Sequence, residues 1–477
     1  MISLAERFPV KFCNSRGIDH ELLSPNDHKG LSRIQYADAT DIDHLLKLLP
    51  AGQQKMNSLR AFERARILRQ VSSLIKEEAE AWALLISTEG GKPLKDARIE
   101  VDRSQVTLDL CAEEALRISG ENLPMERTTA AINRVAFTYR EAIGPVLAIS
   151  AFNHPLNNIA HQLGCAIASG CAVVVKPAPA TPLSAFKLED FFLKAGLPDG
   201  CLFILNADIP EIEKIASASA ISYVSFIGSA KVGWNLRKII APGTRLSLEH
   251  GGQAPAIIRE DADLEQAVQA LIRGAFYHAG QVCISTQRIF VHHSLFKNFL
   301  ASFHKETLKL KIGDARSETT DVGPLIRSGE VTRISSWITE AIQQGARLVT
   351  GNEVSGSASQ YLSPTILAHV PLTSKVMKDE IFGPVVCINP YEDEKELVNY
   401  LGQSEYVFEG CIFTRDISSA MKMARDLSLM TIVINDHNAY RVDWMPFGGH
   451  KLSGLGMGGV KYSVEEMTRL KQVIIKY

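Results

Sequence analysis

Val146-Leu147-Ala148-Ile149, Ala172-Val173-Val174-Val175, Cys201-Leu202-Phe203-Ile204 and Tyr223-Val224-Ser225-Phe226-Ile227 are short apolar runs spaced between Gly144 and Gly252, with amphipathic segments between them. An uninterrupted run rich in β-branched residues suits a strand buried on both faces, and helices between such strands imply parallel crossovers. The spacing predicts a doubly wound parallel sheet, a fold that binds ligands at the carboxyl ends of its strands. A second strand–helix rhythm follows residue 283, with strands predicted at 288–292, 385–388, 411–414 and 431–434 and helices near 294–309, 328–344 and 416–428. No low-complexity linker or internal repeat separates the two α/β units, so they should pack closely and leave a cleft between them.

Upstream, Leu59, Phe62, Val71, Leu74, Ile75, Trp82, Leu85 and Ile86 recur at helical spacing, so residues 41–86 read as helical. Gly90-Gly91-Lys92-Pro93 ends that stretch, and a further amphipathic helix runs to about Ile118. Residues 131–139 alternate imperfectly and read as a strand or hairpin standing off the body. Residues 472–477 read as another strand with no partner nearby in sequence. Exposed strand edges are normally paired or covered, which points to a small β arm used in oligomer contact.

At 477 residues the chain is too long for one compact core. A net charge of −2, without a long basic run, makes nucleic acid and anionic membrane poor partners. The start, Met1-Ile2-Ser3-Leu4-Ala5-Glu6-Arg7-Phe8, lacks the charge-then-apolar order of a signal peptide, and no stretch approaches a membrane span. Eight cysteines without paired spacing suit a reducing compartment, so a cytoplasmic protein is expected. No CxxC pair or HExxH stands among the residues, and adjacent His292 and His293 would point to opposite faces of a strand, so no metal site is expected.

Among the cysteines, Cys283 has the setting of a reactive thiol. It lies in Ala279-Gly280-Gln281-Val282-Cys283-Ile284-Ser285, between a helix end and a strand. Backbone amides and a helix end there are expected to favour the thiolate. Lys176, at a strand's carboxyl end, can bond ribose or phosphate oxygens; in plain structural terms it is a solvated lysine before a turn. In Phe226-Ile227-Gly228-Ser229-Ala230-Lys231-Val232-Gly233, glycines 228 and 233 allow close backbone approach. Ser229 can cap the helix and bond an oxygen, and the helix start favours a pyrophosphate. That run also reads simply as a well-capped helix. Glu249, before Gly251-Gly252, can act as a base or be an exposed loop glutamate. Asn153 can donate to an oxyanion or be a turn residue before His154-Pro155.

Taken together, Asn153-His154-Pro155-Leu156, Lys176-Pro177, Phe226-Ile227-Gly228-Ser229, Leu248-Glu249-His250-Gly251-Gly252, Gly280-Gln281-Val282-Cys283, Glu380-Ile381-Phe382-Gly383-Pro384 and Pro446-Phe447-Gly448-Gly449-His450-Lys451 occur in one order. The chain thereby resembles the aldehyde dehydrogenase superfamily, of the NAD(P)-dependent, hydrolytic, non-acylating type, over nearly its whole length. The resemblance implies two doubly wound α/β domains, a Rossmann-like cofactor domain (1–122 and 141–251) and a catalytic domain (252–447). Oligomerisation strands at 123–140 and 466–477 would make a homodimer or homotetramer. It implies that Cys283 attacks the aldehyde carbon, that Asn153 and the Cys283 amide hold the oxyanion, and that Glu249 activates the water that releases the acid from a thioester. It further implies NAD or NADP held by Lys176, Ser229, the glycines at 228 and 233, Glu380 and Phe382. Coenzyme A-acylating relatives commonly lack the glutamate matching Glu249, so hydrolysis is preferred over acylation. A catalytically silent binding protein is disfavoured by the full set of reactive residues.

Two departures bear on specificity. Where many NAD-preferring relatives have a ribose-binding glutamate, this chain has Pro179, which has no side-chain acceptor and no charge to repel a 2′-phosphate, so a relaxed cofactor preference is expected. Around Asn153 the neighbours are Phe152, His154, Asn157, Asn158 and His161, a polar entrance suited to a small polar aldehyde. Arg103 stands where relatives acting on phosphorylated aldehydes carry an anion-binding arginine, and Arg441 precedes the Pro446-Phe447 motif; an arginine fork suits phosphate or carboxylate. Arg103 also reads as a solvated helix residue beside Glu100 and Asp102. Relatives with two such arginines often place one directly before the cysteine, where this chain has Val282, which argues against an anionic substrate.

Overall fold

In the computed structural model, Val146–Ile149, Val173–Lys176, Leu202–Ile204 and Tyr223–Ile227 are the parallel strands that their apolar runs predict, and Arg245–Glu249 joins them as a fifth. The structure describes residues 7–11 and 17–477; Cys13 and most of the segment read for a signal peptide lie outside them. Across the sheet the order is Gly454–Leu455, Arg245–Glu249, Tyr223–Ile227, Val146–Ile149, Val173–Lys176, Leu202–Ile204, with only the Gly454–Leu455 edge antiparallel. The first strand in sequence is therefore central. Its successors run to one side and then to the other, so the order reverses between Val146–Ile149 and Tyr223–Ile227, and a crevice opens outside their carboxyl ends.

Period-two alternation gives each face of this sheet its own core. Val146, Ala148, Val173 and Val175 pack with the helices Ala61–Glu77, Leu94–Arg117, Asn157–Ser169 and Leu183–Lys194. Leu147, Ile149, Val174, Val224 and Phe226 face the helices Ala39–Ser58, Ile209–Ala216 and Ala230–Ile239. All of these strand residues are buried.

The second sheet has seven strands: Arg347–Thr350, Thr365–Ala368, Val385–Tyr391, Arg288–His292, Pro255–Ile258, Glu409–Phe413 and Thr431–Ile434, parallel except for the first. Its helices His293–Thr307, Ser328–Gln343 and Ile417–Asp426 lie within a few residues of the predicted ones.

The single helical stretch expected over 41–86 is three helices, Ala39–Ser58, Ala61–Glu77 and Ala79–Gly90. The first break falls at Leu59 and Arg60, both extended, where the Glu63 carboxylate accepts the Arg60 amide at 2.7 Å. Neither break carries a glycine or proline, so apolar periodicity runs through both unmarked. At the C-terminus Thr468–Lys476 pairs antiparallel with Arg134–Ala142 along nine residues, and Asn122–Leu123 closes the other edge. The strand without a local partner thus finds one more than 320 residues away in sequence, Lys476 opposite Arg134.

Candidate active site

Between the two sheets lies a cleft of about 910 Å³. One wall is made by strand ends of the first sheet: Ser150–Asn153, Lys176, Ala178, Pro179, Ile227–Ser229 and Glu249–Gly251. The other carries Cys283, Glu380, Phe382 and the loop from His437 to Arg441.

The loop that presents Cys283 is held under strain. The helix Leu264–Phe276 stops, and His278, Ala279 and Gly280 follow in left-handed backbone at φ 48°, 53° and 68°. For the first two this costs about 1–2 kcal/mol each. Gly280 has no alternative, because a Cβ there would strike the Gly383 carbonyl. Gln281, fully buried, locks the turn: its Nε2 donates to the carbonyls of His278 and Pro324, both at 3.3 Å, and its Oε1 accepts the Ile326 amide at 2.9 Å. Beyond the cysteine, the Asn438 side chain donates to the Ile284 carbonyl and accepts from Thr286 Oγ1 at 2.6 Å. The thiol is aimed by two buried amides.

Its protonation departs from expectation. Burial raises the Cys283 pKa well above the ordinary thiol value, and the nearby Glu380 and Glu409 carboxylates add to the rise. The preceding helix ends rather than begins ahead of this loop, so it offers the sulfur no positive pole. Burial therefore favours the thiol over the thiolate.

Glu249 ends the Arg245–Glu249 strand in register with Ile227. Its carboxylate packs against Gly458, where any Cβ would collide with it. Asn153, only 5% exposed, sits before the Asn157–Ser169 helix, and its Oδ1 accepts from Asn158 Nδ2 at 3.3 Å.

The residues expected to hold NAD(P) fit that group on three observations. Glu380 has its Oε1 buried and unpartnered, and its pKa is pushed up to about 8 by burial, partly offset by the Gly252 amide and Arg333. Lys176 lies at the cleft with its pKa brought down to about 8 by burial and by Arg327. Gly251 leaves room that a Cβ would take from the Glu380 carboxylate. Ser229 is the N-cap residue of Ala230–Ile239, but its hydroxyl makes no capping bond, contrary to the expectation that it caps, and it faces the cleft. Gly228 also lines the cleft. Gly233 does not: it faces inward, and a Cβ there would meet the His250 ring, so it serves helix packing and not close approach to a ligand. Phe382, held at φ 53°, stands edge-on to Phe152 at 5.8 Å.

On the substrate side, Arg103 is not a solvated helix residue. Its Nε and Nη2 donate to Asp443 Oδ2 and Oδ1 at 3.1 and 2.9 Å. Arg441 sits over the Phe447 ring, its Cζ 3.5 Å from the centroid, with Nε 3.7 Å from the same Asp443. Asn157 Nδ2 donates to Asp443 Oδ1 at 3.2 Å, and Thr107 donates to Asn157 Oδ1 at 2.9 Å. Two arginines thus share one aspartate, and the Glu249 and Glu409 carboxylates also act on Arg441. His154 is buried beside Tyr277, at 6.2 Å between ring centroids, and burial, with Lys92 and Arg103 nearby, holds its pKa well below the usual imidazole value. His161 turns Nδ1 toward Cys165 Sγ at 4.0 Å and leaves Nε2 buried and unpartnered at the cleft wall.

Sequence reasoning missed Asp443, Tyr277, His437 and Gly458. Asp443 stands two residues after Arg441 in a loop, and only its pairing with Arg103, 340 residues away, reveals its place. Gly458 had a visible signal in the glycine-dense Gly454-Leu455-Gly456-Met457-Gly458-Gly459.

Comparison with known proteins agrees with this geometry. Residues 12–473 match the aldehyde dehydrogenase family. The 3-sulfolactaldehyde dehydrogenase of Priestia aryabhattai is 38% identical over 95% of this chain and 94% of its own. Aldehyde dehydrogenase 21 of Physcomitrella patens, solved with its reaction product succinate, superposes with a TM-score of 0.95 at 32% identity, covering 99% of this chain and 98% of its own. Glyceraldehyde-3-phosphate dehydrogenase of Methanocaldococcus jannaschii, solved with NADP, gives a TM-score of 0.92 at 34% identity, covering 97% and 100%. The chain belongs to the aldehyde dehydrogenase family and is an NAD(P)-dependent enzyme of that family.

Proposed function

We propose that the protein oxidises a small polar aldehyde, one bearing a negative charge at the end away from its carbonyl, to the free carboxylic acid through a covalent adduct on Cys283. The observation that carries the substrate class is the Arg103–Asp443–Arg441 cluster, which sets two guanidinium groups against one aspartate at the cleft. The three relatives support it, since sulfolactaldehyde, succinate and glyceraldehyde 3-phosphate are all small anions. The absence of an arginine at Val282 does not count against it, because Arg441 supplies a second guanidinium from another loop.

In this reading the Cys283 sulfur adds to the aldehyde carbon as its proton passes to a base, for which Glu249 is the cleft carboxylate at hand. Asn153 Nδ2 and the Cys283 amide donate to the oxygen that becomes an anion. NAD(P)+, when bound, supplies the hydride acceptor, which brings the carbon to the acid oxidation level while it is still joined to sulfur. Glu249, once it has passed the thiol proton on to solvent, draws a proton from water as the water oxygen attacks the thioester carbon; the sulfur leaves as the thiolate and the carboxylic acid is released. Lys176 and Glu380 would bond ribose hydroxyls and Ser229 and Gly228 the pyrophosphate. Pro179 leaves the neighbourhood of Lys176 without an acidic side chain, which favours acceptance of both NAD and NADP.

The unit boundaries proposed are those read from the sequence: 1–122 with 141–251, 252–447, and the strands at 123–140 and 466–477. Exposed Val135, Phe137, Tyr139, Leu470 and Ile474 on that three-stranded sheet support its use in a homodimer or homotetramer. Free thiols at the seven described cysteines support a cytoplasmic location. Reduced-cofactor absorbance with paired aldehydes of equal length, one anionic and one neutral, tests the substrate class. A preference for the neutral member would contradict it, and a requirement for coenzyme A would contradict hydrolysis.

A further inference from the structure

Asn153 is half of a pair. Among the described residues its side chain has one hydrogen bond, from Asn158 Nδ2 to its Oδ1 at 3.3 Å. Asn158 stands on the first turn of the Asn157–Ser169 helix, and its own amide donates to the His154 carbonyl at 3.0 Å, so the turn carrying Asn153 closes on the turn carrying Asn158. Both side chains line the cleft.

A carboxamide has one oxygen and one NH2, nearly equal in shape, and its direction is decided by its partners. With Oδ1 engaged by Asn158, the Asn153 NH2 is the end left for a ligand. The reverse orientation would set the oxygen toward any negative charge forming there. We infer that Asn158 is a positioning residue that keeps the Asn153 amide turned donor-first toward the reacting oxygen. The helix supports this from beneath. Glu100 Oε1 accepts the amides of Leu156 and Asn157 at 2.9 and 3.1 Å, and Lys92 neutralises Glu100 in a fully buried pair, so the helix start that carries Asn158 is itself fixed.

This inference rests on the reading of Asn153 as the oxyanion donor, and the two can be separated. N158L removes the donor at similar volume and should lower kcat about tenfold, the worth of one such bond, with substrate KM and cofactor binding changed little. N158D places an acceptor in its stead, which captures the Asn153 NH2. Its kcat should fall toward that of N153A, about a hundredfold or more below the wild type. The double variant N153A/N158D should be no slower than N153A alone, because groups that act through one another are not additive. Equal losses from N158D in the wild-type and N153A backgrounds would overturn the inference, as would an N158D enzyme with wild-type kcat while N153A is slow. Full activity in N153A would remove the reading of Asn153 itself. A cofactor-quenching titration and a thermal melt of each variant show whether a loss of kcat comes with intact binding and fold, and a loss confined to melting temperature would also overturn the inference.

Discussion

The two ends of the cleft hold their charges differently. At the proposed cofactor end Lys176 and Glu380 are each partly buried and without an ion-pair partner among the described residues, and burial moves both toward neutrality, with pKa values of about 8. At the aldehyde end the charges are tied together: Arg103 to Asp443, Arg441 to the same carboxylate, Lys92 to Glu100. Burying a charge alone costs several kcal/mol, a cost that a paired charge recovers in part. The solitary groups suit ligand atoms as partners in the proposed reading, whereas the tied groups hold a shape. The Cys283 thiol takes after the first kind, its pKa raised by burial and by the nearby Glu380.

Four substitutions test that contrast. Cys283→Ala should have the largest effect, a loss of at least about 10⁴-fold in kcat with cofactor binding retained, measured by reduced-cofactor absorbance and a binding titration. Asp443→Asn leaves two guanidinium groups around one neutral amide and should destabilise the fold by about 3–5 kcal/mol in a denaturant melt. A loss under about 1 kcal/mol would mean that the cluster is solvated like a surface pair.

Glu380→Gln should act in the opposite direction on stability. With a folded pKa of about 8 against an ordinary 4.5, Glu380 keeps its proton in the folded protein while the unfolded chain releases it. The folded state then binds more protons between those two values, so the stability this residue contributes is full below pH 4.5 and is lost as pH rises toward 8. The glutamine variant lacks that loss and should be more stable at pH 8 by about 1–4 kcal/mol, while binding cofactor more weakly. Lys176→Met should be the mildest, raising cofactor KM about tenfold with little change in kcat. In the wild type, cofactor affinity should fall as pH passes through about 8, where Lys176 loses its proton, and that part of the fall should vanish in the variant.

The fold was legible where physics is local. The runs from Val146 to Ile227 and from Arg288 to Ile434 are apolar because both of their faces are covered, and they became the two sheets. The breaks at Leu59 and Glu78 were illegible because tertiary packing interrupts a periodicity that no glycine or proline marks. Cys283, Asn153, Glu249 and Glu380 were found as motifs, and the structure brings all four to one cleft. The protonation of Cys283 was misread because the burial of its sulfur and the Glu380 and Glu409 carboxylates near it come from the fold and are not written in its loop. Asp443 stayed hidden because a lone aspartate gains meaning only from arginines that the fold brings to it. The Asn158–Asn153 bond was hidden in another way: both residues were in view, but hydrogen-bond direction is not written in spacing.

The most direct test of the account is a steady-state comparison of succinic semialdehyde with butanal, of equal carbon count, on the wild type and on Arg441→Met, with NAD and with NADP. The account predicts that the wild type makes the free acid without coenzyme A, accepts both cofactors, and favours the anionic aldehyde by about tenfold or more in kcat/KM, a preference that Arg441→Met removes. A wild type that favours butanal, or an Arg441→Met variant that keeps the preference intact, would contradict it.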